Sequence, residues 1–269
     1  MSLTAPRFSA DRFGPWAVVT GASSGIGREF ARQLAANGLH VVLAARRTDM
    51  LATLAEELHR DYEIQCRVVA LDLTDPAAPD RLAEATSDLD VGLLVSNAGD
   101  LAPGRFLDRD SRAAVESLHL NAFSHLVLTH RFGERMARRG KGGVVLLGSP
   151  GAEHGMPWLA AHTAAKAYVN TLGRGLHDEL AARGITLTVL APGAVATELQ
   201  RRRALPETGA MPVSDCVAQA LRGLASGRAE VIPGLMPRVM RRLPARLTRR
   251  LLGQVMRKAA DRAAADGRA

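Results

Sequence analysis

Trp16-Ala17-Val18-Val19-Thr20-Gly21-Ala22-Ser23-Ser24-Gly25-Ile26-Gly27 decides the fold. An apolar, β-branched run enters a glycine-rich turn directly, and a helical pattern follows over Arg28–Asn37. Strand, glycine turn and helix in immediate succession make a cradle for the pyrophosphate of a dinucleotide. Gly21 and Gly25 permit backbone geometry that a Cβ would hinder. Gly27 lets the helix pack close to the sheet. The helix N-terminus then turns free N–H groups and the positive end of its dipole toward the phosphates. Ser23, Ser24 and Ile26 complete the candidate cofactor turn.

Outward from this unit the same alternation continues. Strand-like runs lie at Trp16–Thr20, Leu39–Ala45, Cys66–Leu71, Val91–Val95, Val144–Gly148, Ile185–Leu190 and Glu230–Ile232. Helical periodicity fills Arg28–Asn37, Asp49–Arg60, Pro76–Asp88, Ser111–Arg139, Leu159–Arg183 and Ser214–Ser226. Alternating strands and helices predict an α/β, Rossmann-type doubly wound parallel sheet of about seven strands with helices on both faces. We expect one domain over residues 1–235 and a basic C-terminal helical extension over residues 236–269. The irregular region Gln200–Pro212, with Arg201–Arg203, Pro206 and Gly209, reads either as a mobile flap or as an ordinary surface connection.

Composition narrows the function classes. The chain has 269 residues, 47% hydrophobic and 23% charged, with two cysteines, Cys66 and Cys216. A disulfide scaffold and a cysteine-rich metal site are therefore not expected. The histidines show no ligand spacing with carboxylates or cysteines, so no metal is predicted. The longest apolar runs, such as Val144–Leu147 and Leu187–Ala191, fall far short of the ~18–20 residues needed to cross a bilayer. Met1–Phe13 is polar and mixed, unlike a secretory leader. A reducing, cytoplasmic setting is the expectation.

The end of the second strand reads Val42-Leu43-Ala44-Ala45-Arg46-Arg47. A site for NAD places a carboxylate here to hold the ribose 2′-hydroxyl. A carboxylate would repel a 2′-phosphate, whereas a guanidinium binds it with two hydrogen bonds. Arg46 and Arg47 therefore select NADP(H).

These residues, with others downstream, resemble the short-chain dehydrogenase/reductase family over roughly residues 14–232. The glycine turn is similar to its TGxxxGIG motif. Asp72 and Leu73, in Leu71-Asp72-Leu73-Thr74, sit where the family contacts the adenine. Ser96-Asn97-Ala98-Gly99 resembles its NNAG motif, with Ser for the first Asn. Asn121 and Ser149 match the Asn and Ser of its catalytic tetrad. Pro192, Gly193, Val195 and Thr197 fall in the segment that cups the nicotinamide. The resemblance implies a dimer or tetramer formed through the long helices of Ser111–Arg139 and Leu159–Arg183. The pattern departs at one place. The family's Tyr-x-x-x-Lys reads His162-Thr163-Ala164-Ala165-Lys166, thirteen residues after Ser149.

Positions i and i+4 share a helix face, so His162 and Lys166 can reach one cofactor. Tyr168 lies six residues past His162, on another face, and reads as packing; Tyr62 lies in the loop before the third strand. Imidazole titrates near ~6.5 and serves as an acid and base without the help a phenol needs. A charged Lys166 would favour its neutral form, which suits oxidation better than reduction. Three readings stand: His162 replaces the tyrosine in an NADP(H)-dependent alcohol/carbonyl oxidoreductase; His162 is the base of a non-redox isomerase, lyase or cyclase; or the chain is a cofactor-binding pseudoenzyme. Glu153 and His154, on the loop before His162, read as surface groups that could also supply a proton. Leu101, Met156, Trp158 and Leu199 are candidate pocket residues for an apolar small-molecule substrate.

Residues 236–269 hold ten basic and two acidic side chains and so carry the whole net charge of +8. Leu243, Leu247, Leu251 and Val255 repeat at helical spacing, interrupted by Pro244. This amphipathic helix would dock on the domain or a neighbouring subunit, or lie on an anionic membrane surface. Few aromatic residues accompany the charges, so nucleic acid is not an expected partner.

Overall fold

Val91-Gly92-Leu93-Leu94-Val95-Ser96 is buried at every position. A strand covered on both faces reads this way, as a continuous apolar run instead of an alternation. In the computed structural model, which describes residues 8–203, 205 and 209–265, this run is the fourth strand of a seven-stranded sheet. The strands are β1 (Trp16–Thr20), β2 (His40–Ala45), β3 (Cys66–Ala70), β4 (Val91–Ser96), β5 (Gly142–Leu147), β6 (Ile185–Leu190) and β7 (Glu230–Val231). Their order is β3-β2-β1-β4-β5-β6-β7, and every pairing is parallel. The order reverses between β1 and β4, which opens a crevice beyond the carboxyl ends of those strands.

The helices are α1 (Ala10–Phe13), α2 (Gly25–Ala36), α3 (Thr48–Tyr62), α4 (Ala78–Glu84), α5 (Ser111–Leu118), α6 (Ser124–Arg139), α7 (Ala160–Ala181), α8 (Glu198–Arg202), α9 (Val213–Ala225), α10 (Leu235–Arg242) and α11 (Ala245–Ala265). Neighbouring strand residues feed opposite cores. Val19 packs with Phe30, Leu34, Leu54 and Val217 on the α2, α3 and α9 face. Val18 packs with Leu82, Phe132, Val144 and Val169 on the α4, α6 and α7 face. The doubly wound architecture follows from that alternation of side chains along each strand.

Several boundaries differ from the sequence reading. The single helix expected over Ser111–Arg139 is α5 and α6 joined by a π-helical turn, His119–Phe123. Such turns are rare and cluster at functional sites; Asn121 is in this one. Pro76 stands outside α4, which starts at Ala78. The irregular region Gln200–Pro212 begins inside α8, and its base is closed by a bridge between Val195 and Met211. Residues 204 and 206–208, Pro206 among them, lie outside the described residues.

The tail breaks at Leu243 and Pro244, where proline cannot continue a helix. α11 packs on the body. Among its described side chains Thr248, Gly253, Ala259 and Ala260 are buried and Val255 is half-buried; of the expected leucine stripe Leu247 stays exposed, and the Leu251 side chain lies outside those described. Gly253 faces Pro157, where an added Cβ would sit at an ordinary contact distance, 3.4 Å from Cγ.

Candidate active site

The crevice floor is built on Thr20, the last residue of β1. Its hydroxyl oxygen accepts from the backbone N–H groups of Asn97 at 2.9 Å and Ala98 at 3.0 Å. The Asn97 side-chain amide donates to Thr20 O at 2.9 Å. These bonds clamp the ends of β1 and β4 together beneath the glycine turn. Gly21 has φ +66° and Gly25 φ +53°, and a Cβ on Gly21 would lie 2.9 Å from Asn97 Nδ2. Ser24, the N-cap of α2, makes no side-chain cap, so the first N–H groups of α2 remain free of a side-chain acceptor. Asn97 Oδ1 is buried without a partner among the described residues. The turn, the uncapped helix end and the orphaned oxygen fit a dinucleotide.

The two arginines after β2 take different positions. Arg47 reaches back over the turn, donating to Ser23 Oγ at 3.1 Å and Ser24 Oγ at 2.8 Å. It also faces Glu198 of α8 at 3.6 Å. Arg46 is more exposed and pairs with Asp72 at 3.6 Å. Asp72 accepts from Thr74 N at 3.0 Å, and Leu73 is buried beside it. The rim thus holds two guanidiniums after β2, each facing a carboxylate, Asp72 or Glu198.

The reactive groups converge at the ends of β4, β5 and α7. Asp100, two residues past the Asn97-Ala98 clamp, is the hub. Its N–H donates to Asn121 Oδ1 at 3.2 Å, and its carbonyl accepts from His162 Nδ1 at 2.7 Å. Its carboxylate accepts from Arg203 at 2.9 and 3.0 Å. The Asn121 amide is held from the other side by Ser117 O at 3.0 Å. Gly99 makes room for this meeting: a Cβ there would lie 2.9 Å from Asn121 Oδ1 and 3.5 Å from Lys166 Nζ.

A carbonyl can only accept, so the His162–Asp100 bond puts the proton on Nδ1 and leaves the lone pair on Nε2. Burial, then the charge of Lys166, lowers the His162 pKa to about 4. The imidazole is neutral at pH 7. Lys166 is buried, donates to Leu147 O at 2.7 Å, and is pulled down to about 7 by burial. Ser149 is fixed through its backbone: its N–H donates to Asn170 Oδ1 at 3.2 Å, and its carbonyl accepts from Asn170 Nδ2 at 2.7 Å.

A cavity of about 390 Å³ opens over His162, lined by Ala102, Phe106, Leu107, Ala114, Trp158 and Leu159 among others. Of the four expected pocket residues, Trp158 lines it. Met156 belongs to a separate groove under α11, and Leu101 and Leu199 line neither cavity. Phe106 and Leu107, on a short 3-10 turn, were not foreseen, because no periodicity marks so short an element. Glu153 does not serve the pocket; Asn170 and Arg174 hold it at 3.2 and 3.0 Å. Tyr168 is partly exposed against the Phe123 ring, 6.4 Å away, and stays out of the site.

Sequence reasoning also missed Asp100, Arg203 and His125. His125 is fully buried and hydrogen-bonded to Ser96 Oγ at 2.8 Å. Burial holds its pKa well below the usual histidine value. Ser96 is the residue that departs from the family's NNAG, and its hydroxyl has this buried partner.

Segments 18–20 and 96–100 thus meet with Asn121, His162 and Lys166 at the carboxyl end of the sheet, and Thr197 stands beside Gly25. The model of the family described as short chain dehydrogenase matches residues 15–207. The chain belongs to that family. It is 31% identical over 192 residues to the very-long-chain 3-oxoacyl-CoA reductase of Bos taurus, covering 70% of this chain and 62% of that one. It is 34% identical over 191 residues to the 17-beta-hydroxysteroid dehydrogenase type 3 of Mus musculus, again covering 70% and 62%. The matched segment therefore spans about three-fifths of these relatives. Among solved structures, a short-chain dehydrogenase from Sphingobium yanoikuyae in complex with NADPH superposes with a TM-score of 0.78 at 30% identity, covering 82% of this chain and 89% of that one. The bulky-bulky ketone specific alcohol dehydrogenase of Comamonas testosteroni matches with a TM-score of 0.74 at 28% identity, covering 90% and 92%.

Proposed function

We propose that this chain is an NADP(H)-dependent oxidoreductase acting on the alcohol/carbonyl pair of an apolar small molecule, with His162 in the seat of the family's tyrosine. The observation that carries the reading is the bond from His162 Nδ1 to Asp100 O, beside buried Lys166 and beneath a cavity where Phe106, Leu107, Trp158 and Leu159 are joined by Arg105, Asp108 and Arg109. It leaves a neutral imidazole whose Nε2 accepts a proton.

Gly21, Gly25, Gly27 and the start of α2 would hold the pyrophosphate, with Arg47 and Arg46 taking the 2′-phosphate. The arginines and the absence of a carboxylate at Ala45 support NADP(H) over NAD(H), as does the NADPH-bound neighbour. Asp72, Leu73, Asn97, Ala98 and Gly99 would line the adenine and ribose side. Pro192, Gly193, Val195 and Thr197 would cup the nicotinamide. When bound, the nicotinamide supplies the hydride chemistry.

The protein's own groups handle the proton. Ser149 Oγ orients the substrate oxygen. His162 Nε2 takes the hydroxyl proton as the alcohol is oxidised. Reduction would need that proton placed on an imidazole that resists protonation down to about pH 4, so the arrangement favours alcohol oxidation at neutral pH. Lys166 keeps one N–H on Leu147 O and turns its others to the nicotinamide ribose. Asn121 holds Asp100, and through it the imidazole. The relatives' names, with their very-long-chain acyl and steroid substrates, support an apolar substrate class.

Phe123, Tyr168 and Val115 are exposed apolar side chains on the π-helical turn, α7 and α5. They support a homodimer or homotetramer formed through these helices. The cytoplasmic setting belongs to the same proposal.

A base on Nε2 also favours a second reading, non-redox proton abstraction by His162. An absorbance screen with NADP⁺ and NADPH separates them, run against secondary alcohols and ketones of steroid and long-chain acyl type. The redox reading predicts turnover that His162→Ala abolishes while NADPH binding persists. Undiminished redox activity in that variant would refute the imidazole assignment. Product without any change in cofactor absorbance would favour the second reading.

A further inference from the structure

α10 is turned inside out relative to an ordinary surface helix. Leu235, Met236 and Val239 share one side, within about 100° of arc, and are 75%, 69% and 46% exposed. The opposite side faces the body. Pro237 packs on Gly193, where a Cβ would lie 2.5 Å from Pro237 Cγ, and Arg241 is ion-paired with Glu230. Arg238 and Arg242 flank the apolar face and are exposed. Beyond them α11 presents Arg246, Arg249, Arg250, Arg257 and Lys258, all exposed. Between Leu235 and Ala260 the sequence holds eight basic and no acidic residues.

We propose that α10, with its own Arg238 and Arg242 beside the apolar face and the basic α11 following in the chain, seats on an anionic lipid bilayer surface. Apolar side chains ringed by cations are what an interfacial helix needs: the first enter the acyl boundary, the second meet phosphate headgroups. Charge selects this occupant over a second copy. A two-fold contact sets the same patch against itself, and here that would bring Arg238 and Arg242 of one copy up to the same arginines of the other. The apolar face of α5, the π-helical turn and α7 is a different surface, so assembly and lipid contact do not compete. The inference does not depend on the redox reading.

The test is co-sedimentation of the full chain with vesicles of phosphatidylglycerol and phosphatidylcholine, against phosphatidylcholine alone, at low and high salt. Binding should require the anionic lipid and fall with salt. Leu235→Ser/Met236→Ser/Val239→Ser should lower partitioning at least about tenfold. Arg238→Ala/Arg242→Ala should lower it about thirtyfold, near fivefold per cation. All five side chains are on the surface, and an unchanged thermal transition confirms folding. Equal binding to neutral vesicles, or no loss in either variant, would overturn the proposal. So would a change in oligomer size by light scattering in the apolar variant with vesicle binding intact, because a second copy would then cover the face.

Discussion

Replacing Lys166 by methionine should stabilise the cofactor-free protein. Burial lowers the Lys166 pKa from 10.5 to about 7. The unfolded chain therefore binds more protons between those values, and the folded state carries the cost of a buried ammonium below them. At ~1.36 kcal/mol per pKa unit, that cost is about 5 kcal/mol at pH 6 and about 2 kcal/mol at pH 9. Methionine fills similar space without charge but leaves Leu147 O without the Lys166 donor, a loss of about 1–3 kcal/mol. Lys166→Met should thus be about 2–4 kcal/mol more stable than wild type at pH 6, an advantage that shrinks by about 3 kcal/mol at pH 9. Urea unfolding of both proteins at the two pH values measures this directly. A variant less stable than wild type at pH 6, or a difference independent of pH, would show that the ammonium is not held at a cost. The stabilised variant should also lose turnover, since the cost is borne for the cofactor site.

Four further outcomes follow from the same geometry. The His162 imidazole resonance, assigned by its absence in His162→Gln, should titrate near pH 4 in NMR spectra of the cofactor-free protein; a midpoint near 6.5 would contradict the depressed value. Arg203→Ala releases the Asp100 carboxylate and should cut kcat about tenfold with NADPH affinity unchanged, since small displacements of a reacting group are costly; an unaltered kcat would remove Asp100 from its role as hub. Arg47→Ala should weaken NADPH binding by about 10–100-fold and NADH binding distinctly less, as measured by cofactor fluorescence, because both cofactors lose the bonds that steady Ser23 and Ser24 but only the 2′-phosphate loses a charge-assisted donor. Gly99→Ala should lower kcat about a hundredfold by driving a methyl into the Asn121 carboxamide, with a melting temperature a few degrees lower; full activity would mean that Asn121 can shift without consequence.

What could be read in the chain itself was whatever depends on local order. The strand–turn–helix at Trp16–Ala36, the seven apolar runs and the i, i+4 pair His162 and Lys166 are near neighbours in sequence, and period and spacing report them. Elements of one turn or little more, such as α8 and the 3-10 turn carrying Phe106 and Leu107, left no such trace. The π-helical turn was equally silent, since one extra residue in a helix hardly alters an apolar pattern.

Only the tertiary structure decided what the imidazole can do. Asp100 and His162 are 62 residues apart, and Asp100 and Arg203 are 103 apart. Parallel strands bring such positions to one edge of the sheet, where a backbone carbonyl settles which nitrogen bears the proton. The same burial that lowers both pKa values is a property of the packed fold. The identity of the residue at position 162 was present in the chain from the start; its protonation state, and so its chemical role, came from the long-range neighbours that half-bury it beside Lys166 and bind its Nδ1.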